Sequence, residues 1–341
     1  MVTESKPPFC NAPFVQLMLK PSGDIAPCCY KYAHDLGDIK QQSLLEIWNG
    51  DRIKKLRREF LSGQVKTCKK QIAHIACNER FARFADIIER NEHQSSAPRR
   101  LDLRLNSQCN LSCVMCDVWT GDNKQYDEAN FWTEGPSTLF PHLLEVDLLG
   151  GEPFIQRDTY RLIEQVTAVN PGCQWSFVTN GHYQFCGRIR RYLDLINIRT
   201  FQVSVDSLDS NTYAAIRRKG NLETVKTFIS DLVAYRSARA AEDRDFGLVF
   251  SMCVLKRNWD EIPNFLRFCR ENGAVPDLQY AFYDPSEENS LAFTTLEQKE
   301  HIVTMLLSNT KPSDQPWLAP ILKPLQNSIK RGRERAQTLE S

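Results

Sequence analysis

Eight residues, Cys109-Asn110-Leu111-Ser112-Cys113-Val114-Met115-Cys116, decide how the rest of this 341-residue chain is interpreted. They follow a strand-like run at Leu101–Leu105 and place three thiols on one loop. Iron–sulfur cubanes normally take four cysteine ligands, so three ligands from this loop would leave one iron open to a small ligand. Three-cysteine zinc sites also exist, and the spacing by itself leaves zinc as an alternative.

The composition narrows the class of protein. Apolar residues make up 42% of the chain, and 43 basic residues against 42 acidic ones give a formal charge of +1. This balance indicates no nucleic-acid partner and no membrane surface. No apolar run approaches the roughly 18 residues of a transmembrane helix, and residues 1–9 lack the apolar stretch of a secretory signal. We therefore expect a cytoplasmic protein.

The number and placement of the cysteines also indicate the class of protein. The chain has 12 cysteines, and most of them lie before residue 117. In a reducing compartment, clustered cysteines indicate a metal site or catalysis rather than disulfides.

From residue 100 onward, strand-like runs alternate with amphipathic helical segments. The clearest helix candidate is Asn221–Arg236, which has one continuous apolar face. Repeated βα units predict a parallel sheet. Six units are too few for a full eight-stranded barrel, so we expect an open, partial barrel. The strand candidates are Leu101–Leu105, Leu144–Leu149, Gln174–Thr179, Thr200–Val205, Phe246–Leu255 and Leu278–Tyr283.

The N-terminal part reads as a separate small α+β domain over residues 1–91. A strand at Phe14–Leu19, a turn at Pro21–Asp24 and a return from Ile25 predict a hairpin. Helices are predicted at Ser43–Asn49 and Arg52–Leu61. The polar residues 92–99 are expected to be a linker, residues 100–300 the core domain, and residues 301–341 a C-terminal helical extension.

The Cx3Cx2C loop at the end of the first strand of a six-unit βα array resembles the radical S-adenosylmethionine superfamily. The resemblance implies a partial (β/α)6 TIM-type barrel and a 4Fe–4S cluster held by Cys109, Cys113 and Cys116. It also implies S-adenosylmethionine on the open iron, cleaved by one electron to a 5′-deoxyadenosyl radical. Met115 departs from the family pattern, which often has an aromatic residue there.

Further positions match the family in order along the chain. Gly150, Gly151 and Glu152 follow the second strand and resemble the motif that holds the methionine amino group; a plain Gly-Gly turn is the alternative. Asn180 ends the third strand in a Thr-Asn-Gly run that is similar to one near the cofactor in the family. A turn with Asn in a left-handed conformation explains that run equally well.

Ser204 and Asp206 lie on one face at the end of the fourth strand. The resemblance assigns this region to the ribose hydroxyls and the methionine carboxylate, and helix capping by Asp206 or Asp209 is the alternative. Arg217 closes a Tyr-x-x-Ile-Arg segment similar to one in the family. It is a candidate partner of the methionine carboxylate, or a surface arginine.

The first 80 residues resemble the SPASM/twitch auxiliary-cluster module. Cys10, Gly23 and Cys28, with Leu36–Ile39 and Ser43–Asn49, carry the resemblance. It implies one auxiliary 4Fe–4S cluster, and a zinc site with the same ligands is the alternative. Two features depart from the module: it normally follows the radical domain, and Gln71 replaces the second cysteine of a CxxC pair. The predicted ligands are Cys10, Cys28, Cys68 and Cys77, with Cys29 as an alternative to Cys28.

The resemblance implies an oxidoreductase-type enzyme that removes hydrogen from a small polar metabolite or a peptide. The electron would come from a flavodoxin- or ferredoxin-like donor. One rival is a redox-neutral epimerase in which Cys253, in the fifth strand, returns the hydrogen atom. The other is a non-catalytic iron–sulfur or zinc scaffold. Tyr283 and Asp284 are candidate substrate contacts.

Overall fold

The computed structural model describes residues 9–29, 35–68, 81–121, 124–127, 129–281 and 288–340. The predicted ligand Cys77 and the candidate contacts Tyr283 and Asp284 lie outside the described residues. The chain divides into two compact units. Unit 1 takes the described residues of Met1–Cys109, Val118–Phe177 and Gly187–Ile198, and unit 2 those of Asn110–Asp117, Val178–Cys186 and Arg199–Ser341.

The strands of unit 1 are β1 (Gln16–Leu19), β2 (Asp24–Ala26), β3 (Gly37–Asp38), β4 (Arg100–Leu103), β5 (Glu145–Leu148) and β6 (Gln174–Thr179), the last running into unit 2 at Val178. They form a sheet in the order β3-β2-β1-β4-β5-β6. The first three strands pair antiparallel, and β1, β4, β5 and β6 pair in parallel. The predicted hairpin is confirmed, but the prediction that Phe14 and Val15 belong to a strand is wrong. Pro13 favours a helical start, and the Phe14 N–H donates to the Asn11 carbonyl (3.0 Å).

Side chains from the helices of unit 1 form hydrogen bonds with residues 92–99, the segment predicted as a linker. Arg57 is fully buried, and its guanidinium donates to the carbonyls of Pro13 and Glu92 (both 2.9 Å). Burial lowers the pKa of Arg57 to about 9, against the opposing charge of Glu89. The Trp48 indole donates to the Ser96 carbonyl (2.8 Å). The helices are α1 (Ala12–Val15), α2 (Leu44–Trp48), α3 (Asp51–Ser62), α4 (Phe131–Thr138), α5 (Arg157–Val169) and α6 (Gly187–Asp194).

The elements of unit 2 are β7 (Asn197–Ser204, beginning in unit 1), β8 (Gly247–Val254), β9 (Val275–Tyr280), α7 (Ser210–Ile216), α8 (Leu222–Ala240), α9 (Ile262–Glu271), α10 (Leu296–Asn309) and α11 (Ala319–Glu340). They continue the predicted βα alternation, with three parallel strands in the order β7-β8-β9. All six predicted strands from β4 to β9 are confirmed to within a few residues, and a helix follows each of the first five. Across the part of the chain that the structure describes, every helix is too short or too polar to span a membrane.

Candidate active site

The loop after β5 packs against the segment between β4 and Cys109. Gly150 and Gly151 have φ values of +85° and +56°, a region that favours glycine. A Cβ at Gly151 would lie 2.3 Å from the carbonyl oxygen of Gln108. The N–H of Glu152 donates to the same carbonyl (2.8 Å). Gly151 therefore permits close contact with the residue that precedes Cys109, and Gly150 permits close contact with Arg104.

Glu152 itself is fully buried within unit 1. Its Oε1 accepts the N–H of Phe154 (3.2 Å), which caps the short 3-10 helix Pro153–Ile155. Gln156, at the end of that helix, donates through Nε2 to the carbonyls of Gln108 (3.0 Å) and Gly150 (3.2 Å). The predicted cofactor motif is thus a turn held both by hydrogen bonds within itself and by hydrogen bonds to the Gln108 carbonyl.

Cys113 lies in a segment that pairs with the end of α7. The Ser112 N–H donates to the Arg218 carbonyl (3.1 Å), and the Val114 N–H donates to the Ile216 carbonyl (2.9 Å). These two bonds bracket Cys113, which is half-buried. The position of this cysteine is therefore fixed by backbone hydrogen bonds on both sides.

Hydrogen bonds join Asn110 to the segment of His182, a contact that the sequence analysis missed; we call this pair the Asn110–His182 bracket. Asn110 donates to the His182 carbonyl and accepts from Asn180 Nδ2 (2.8 Å). His182 Nδ1 lies 2.9 Å from the Asn180 carbonyl oxygen, and Nε2 lies 2.9 Å from the Asn221 backbone nitrogen and 3.0 Å from the Asn221 carbonyl oxygen. In the neutral ring, a proton on Nδ1 lets Nε2 accept the Asn221 N–H. Burial lowers the pKa of His182, hydrogen bonds from the ring to the carbonyls of Asn180 and Asn221 oppose this, and the charge of Arg217 adds to the lowering. No local pattern marks these residues, because their partners lie far away in sequence.

Asp206 and Arg217 form a buried ion pair, with a distance of 2.8 Å between Oδ2 and Nε. The other carboxylate oxygen of Asp206 accepts the Cys253 N–H (2.7 Å). Burial alone would lower the pKa of Arg217, but the charges of Asp206 and Cys113 outweigh it and raise that pKa. Both oxygens of Asp206 thus have partners within the chain, an arrangement that favours a positioning role for this pair.

Cys253, near the end of β8, packs against the same apolar cluster as two residues of the cysteine loop. Together with Val114 and Met115, this half-buried residue packs against a small apolar cluster. Asn258 Nδ2 donates to the Cys253 carbonyl (3.0 Å). Ser204 is partly exposed at the end of β7, and its hydroxyl lies 3.5 Å from that of Ser251. The buried members of the cluster are Ile216, Leu255 and Ala281.

Three of the predicted auxiliary ligands lie at two neighbouring apolar clusters in unit 1. Cys10 packs against two neighbouring clusters; Cys28 belongs to the first, and Cys68 packs against the second. Cys28 is buried, whereas the alternative ligand Cys29 is exposed. The first cluster comprises Ala12, Val15, Cys28, Phe81 and Phe84, and the second Phe14, Leu56, Phe60 and Val65.

Two further cysteines have the character of inert core residues. Burial raises the pKa of Cys173, with a contribution from Glu145, and that of Cys269, each to about 12. Thiols of this kind do not ionise near neutral pH and are poor metal ligands. Within the described residues, no three His, Cys, Asp or Glu side chains converge closely enough to bind one metal ion. The two cysteine ligand sets therefore stay predictions from their motifs, supported by soft thiol donors of the kind that iron–sulfur clusters take.

Two known domains match the chain. An iron–sulfur cluster-binding domain, SPASM, matches residues 10–78. The radical SAM superfamily matches residues 104–269, so the auxiliary domain comes first in the chain. These matches confirm the predicted fold class, an α/β partial TIM-type barrel preceded by a small iron–sulfur domain. They also confirm the predicted cofactors: a 4Fe–4S cluster, S-adenosylmethionine and an auxiliary iron–sulfur cluster.

Curated relatives cover part of the chain. The GTP 3′,8-cyclase of Moorella thermoacetica is 28% identical over 50% of this chain and 52% of its own length. The GTP 3′,8-cyclase of Marinobacter nauticus is 30% identical, with 59% and 60% covered. Mycofactocin maturase MftC of Mycobacterium tuberculosis is 25% identical, with 55% and 46% covered. The chain thus spans about half the length of the curated relatives it matches.

Solved structures also match. Streptococcus suis SuiB bound to S-adenosylmethionine has a TM-score of 0.43 and 16% identity, over 68% of this chain and 48% of that one. Native anSMEcpe with bound AdoMet has a TM-score of 0.40 and 13% identity, over 60% and 58%.

Proposed function

Since this chain belongs to the radical S-adenosylmethionine superfamily and carries a SPASM domain ahead of the radical core, we propose that it is an oxidoreductase-type enzyme. It would take hydrogen from a small polar metabolite or a peptide. When bound, the cluster and S-adenosylmethionine supply a 5′-deoxyadenosyl radical by one-electron cleavage. A GTP cyclase and a maturase are both among its relatives, so both substrate classes stay in the proposal.

The observation that carries the proposal is the anchored cysteine loop. In unit 1, the Gly150–Glu152 turn holds the carbonyl just before Cys109. In unit 2, backbone hydrogen bonds bracket Cys113. Cys109, Cys113 and the exposed Cys116 would hold the cluster, leaving one iron for the methionine group. A loop fixed in this way presents its thiols without a large ordering cost.

The remaining residues would orient the nucleoside and the substrate. Gly150, Gly151, Glu152, Asn180 and Ser204 are the proposed contacts with S-adenosylmethionine. In this proposal, Asp206 and Arg217 hold each other through their buried ion pair and would position the loops around that cofactor.

The auxiliary cluster is assigned to the N-terminal domain, residues 1–91, with the linker, core and extension bounded as in the sequence analysis. Its proposed ligands are Cys10, Cys28, Cys68 and Cys77. A cluster there would take the second electron of a two-electron oxidation or position the substrate. The electron donor would be a flavodoxin or a ferredoxin, small proteins that deliver one electron at a time.

The test is anaerobic reconstitution of the full chain. We expect about eight iron and eight sulfide per chain if two cubanes form, and release of 5′-deoxyadenosine after dithionite and S-adenosylmethionine are added. Cys113→Ala should lose about half of the iron and all of the 5′-deoxyadenosine. Cys269→Ala, which removes a buried thiol outside both ligand sets, should keep both. Zinc in the loop, or 5′-deoxyadenosine from the Cys113 variant, would contradict the proposal.

A redox-neutral epimerase is the second candidate, favoured by the position of Cys253 beside Val114 and Met115. In that reaction Cys253 would give a hydrogen atom to the substrate radical and become a thiyl radical. One electron from the flavodoxin- or ferredoxin-like donor and one proton from solvent would then restore its thiol. Turnover in deuterated water should then give a product of unchanged oxidation state with one deuteron. Normal product from Cys253→Ala would remove this candidate.

A further inference from the structure

Two backbone hydrogen bonds hold the segment of Cys113 against the end of α7. Residue 112 bonds to residue 218 and residue 114 to residue 216, so Cys113 lies alongside Arg217. Burial alone would lower the pKa of Arg217, but the charges of Asp206 and Cys113 raise it. A predicted cluster ligand and a guanidinium therefore lie close enough to interact.

The Arg217 guanidinium is held by Asp206. Its Nε lies 2.8 Å from Asp206 Oδ2, and the Asp206 and Arg217 side chains are only 2% and 8% exposed. Asp206 is held in turn by the Cys253 N–H. Arginine keeps its charge in such surroundings, and a charge shielded from water acts more strongly on its neighbours.

A cation beside a cysteine ligand stabilises the more negative, reduced form of an iron–sulfur cluster. Reduction potentials of these clusters depend on local charge and on hydrogen bonds to the sulfurs. We propose that Arg217 is a positioning residue that acts through Cys113 to raise the reduction potential of the radical cluster, with Asp206 setting how much of its charge the cysteine feels. This inference rests on the proposed function, which makes Cys113 a ligand.

The experiment is an anaerobic redox titration of the reconstituted full chain, followed by electron paramagnetic resonance. The signal to follow is the one that changes when S-adenosylmethionine is added. In Arg217→Gln we expect about a tenfold lower ratio of reduced to oxidised cluster at a fixed potential, equal to about 59 mV for one electron. Arg217→Lys should restore most of the ratio. Asp206→Asn should shift it the opposite way, because the cation then acts without its counter-charge.

Arg218→Gln is the matched control, since Arg218 is the exposed neighbour whose backbone alone contacts the loop. It should leave the potential unchanged. A purely structural role for the ion pair would move Arg217→Gln and Asp206→Asn in the same direction, or not at all, and either result overturns the inference. If Arg217→Gln fails to fold, the Lys and Asn variants still decide. A wild-type chain with no S-adenosylmethionine-responsive signal would instead overturn the proposed function.

Discussion

The two groups of cysteines are held by different forces. In the N-terminal region, Cys10 and Cys28 lie among aromatic and aliphatic side chains. In the loop before the first core helix, Cys113 is held by backbone hydrogen bonds and lies beside a buried arginine. The first setting is apolar and buries Cys28, whereas the second has polar anchors and leaves Cys116 exposed.

This difference matches the two kinds of cluster that the family implies. A cluster with a full set of protein ligands gains from an apolar shell, which keeps solvent away from its sulfurs. A cluster with an open iron must admit a charged amino acid group, so its loop needs polar anchors and access from outside. The packing around each cysteine group thus predicts how much of its cluster is capped by protein.

The largest expected effect tests whether apolar packing selects the auxiliary ligand between two adjacent cysteines, Cys28 and Cys29. Cys28→Ser should lose the auxiliary cluster, about half of the iron in the reconstituted chain, because Cys28 lies in the same apolar cluster against which Cys10 packs. Cys29→Ser, the exposed neighbour, should keep all of it. Iron and sulfide assays with Mössbauer spectroscopy measure this. Equal loss in both variants would break the comparison, since packing would then not select the ligand.

A second variant tests the anchored loop. In Gly151→Ala, the new Cβ would lie 2.3 Å from the Gln108 carbonyl oxygen, in a backbone conformation that alanine resists. We expect a loss of about 3 kcal/mol of unfolding free energy, together with loss of the radical cluster alone. Urea unfolding and iron content measure both. Gly187→Ala, where no atom lies within 4 Å of the added Cβ, is the matched control and should be neutral.

The local sequence pattern predicted the strands of this fold well, because the signals for apolar strands and glycine turns depend only on neighbouring residues. It failed at Phe14 and Val15, where a proline and an asparagine start a helical turn inside an apolar run. The cysteine motif and the Gly-Gly-Glu turn were also legible locally. The pairing of Cys113 with Arg217 and the bracket of Asn110 with His182 were not, because each depends on which distant segments the fold brings into register.

The smallest effect concerns that bracket and should appear as a pH dependence. Burial depresses the pKa of His182 below its ordinary value of about 6.5. The unfolded chain therefore binds a proton at a pH where the folded chain does not, so the contribution of His182 to stability is complete above that value and declines as the pH falls below it. The slope is at most about 1.4 kcal/mol per pH unit. Urea unfolding of the wild-type protein and of His182→Gln between pH 7.5 and 5.5 (values chosen to span about one unit either side of 6.5) measures the difference, in which the acid sensitivity of the shared clusters cancels. If the stability of the two proteins changed equally with pH, the imidazole of His182 would titrate alike in the folded and unfolded states. The neutral His182 ring, with its proton on Nδ1, would then not be what holds Asn110 and the cysteine loop.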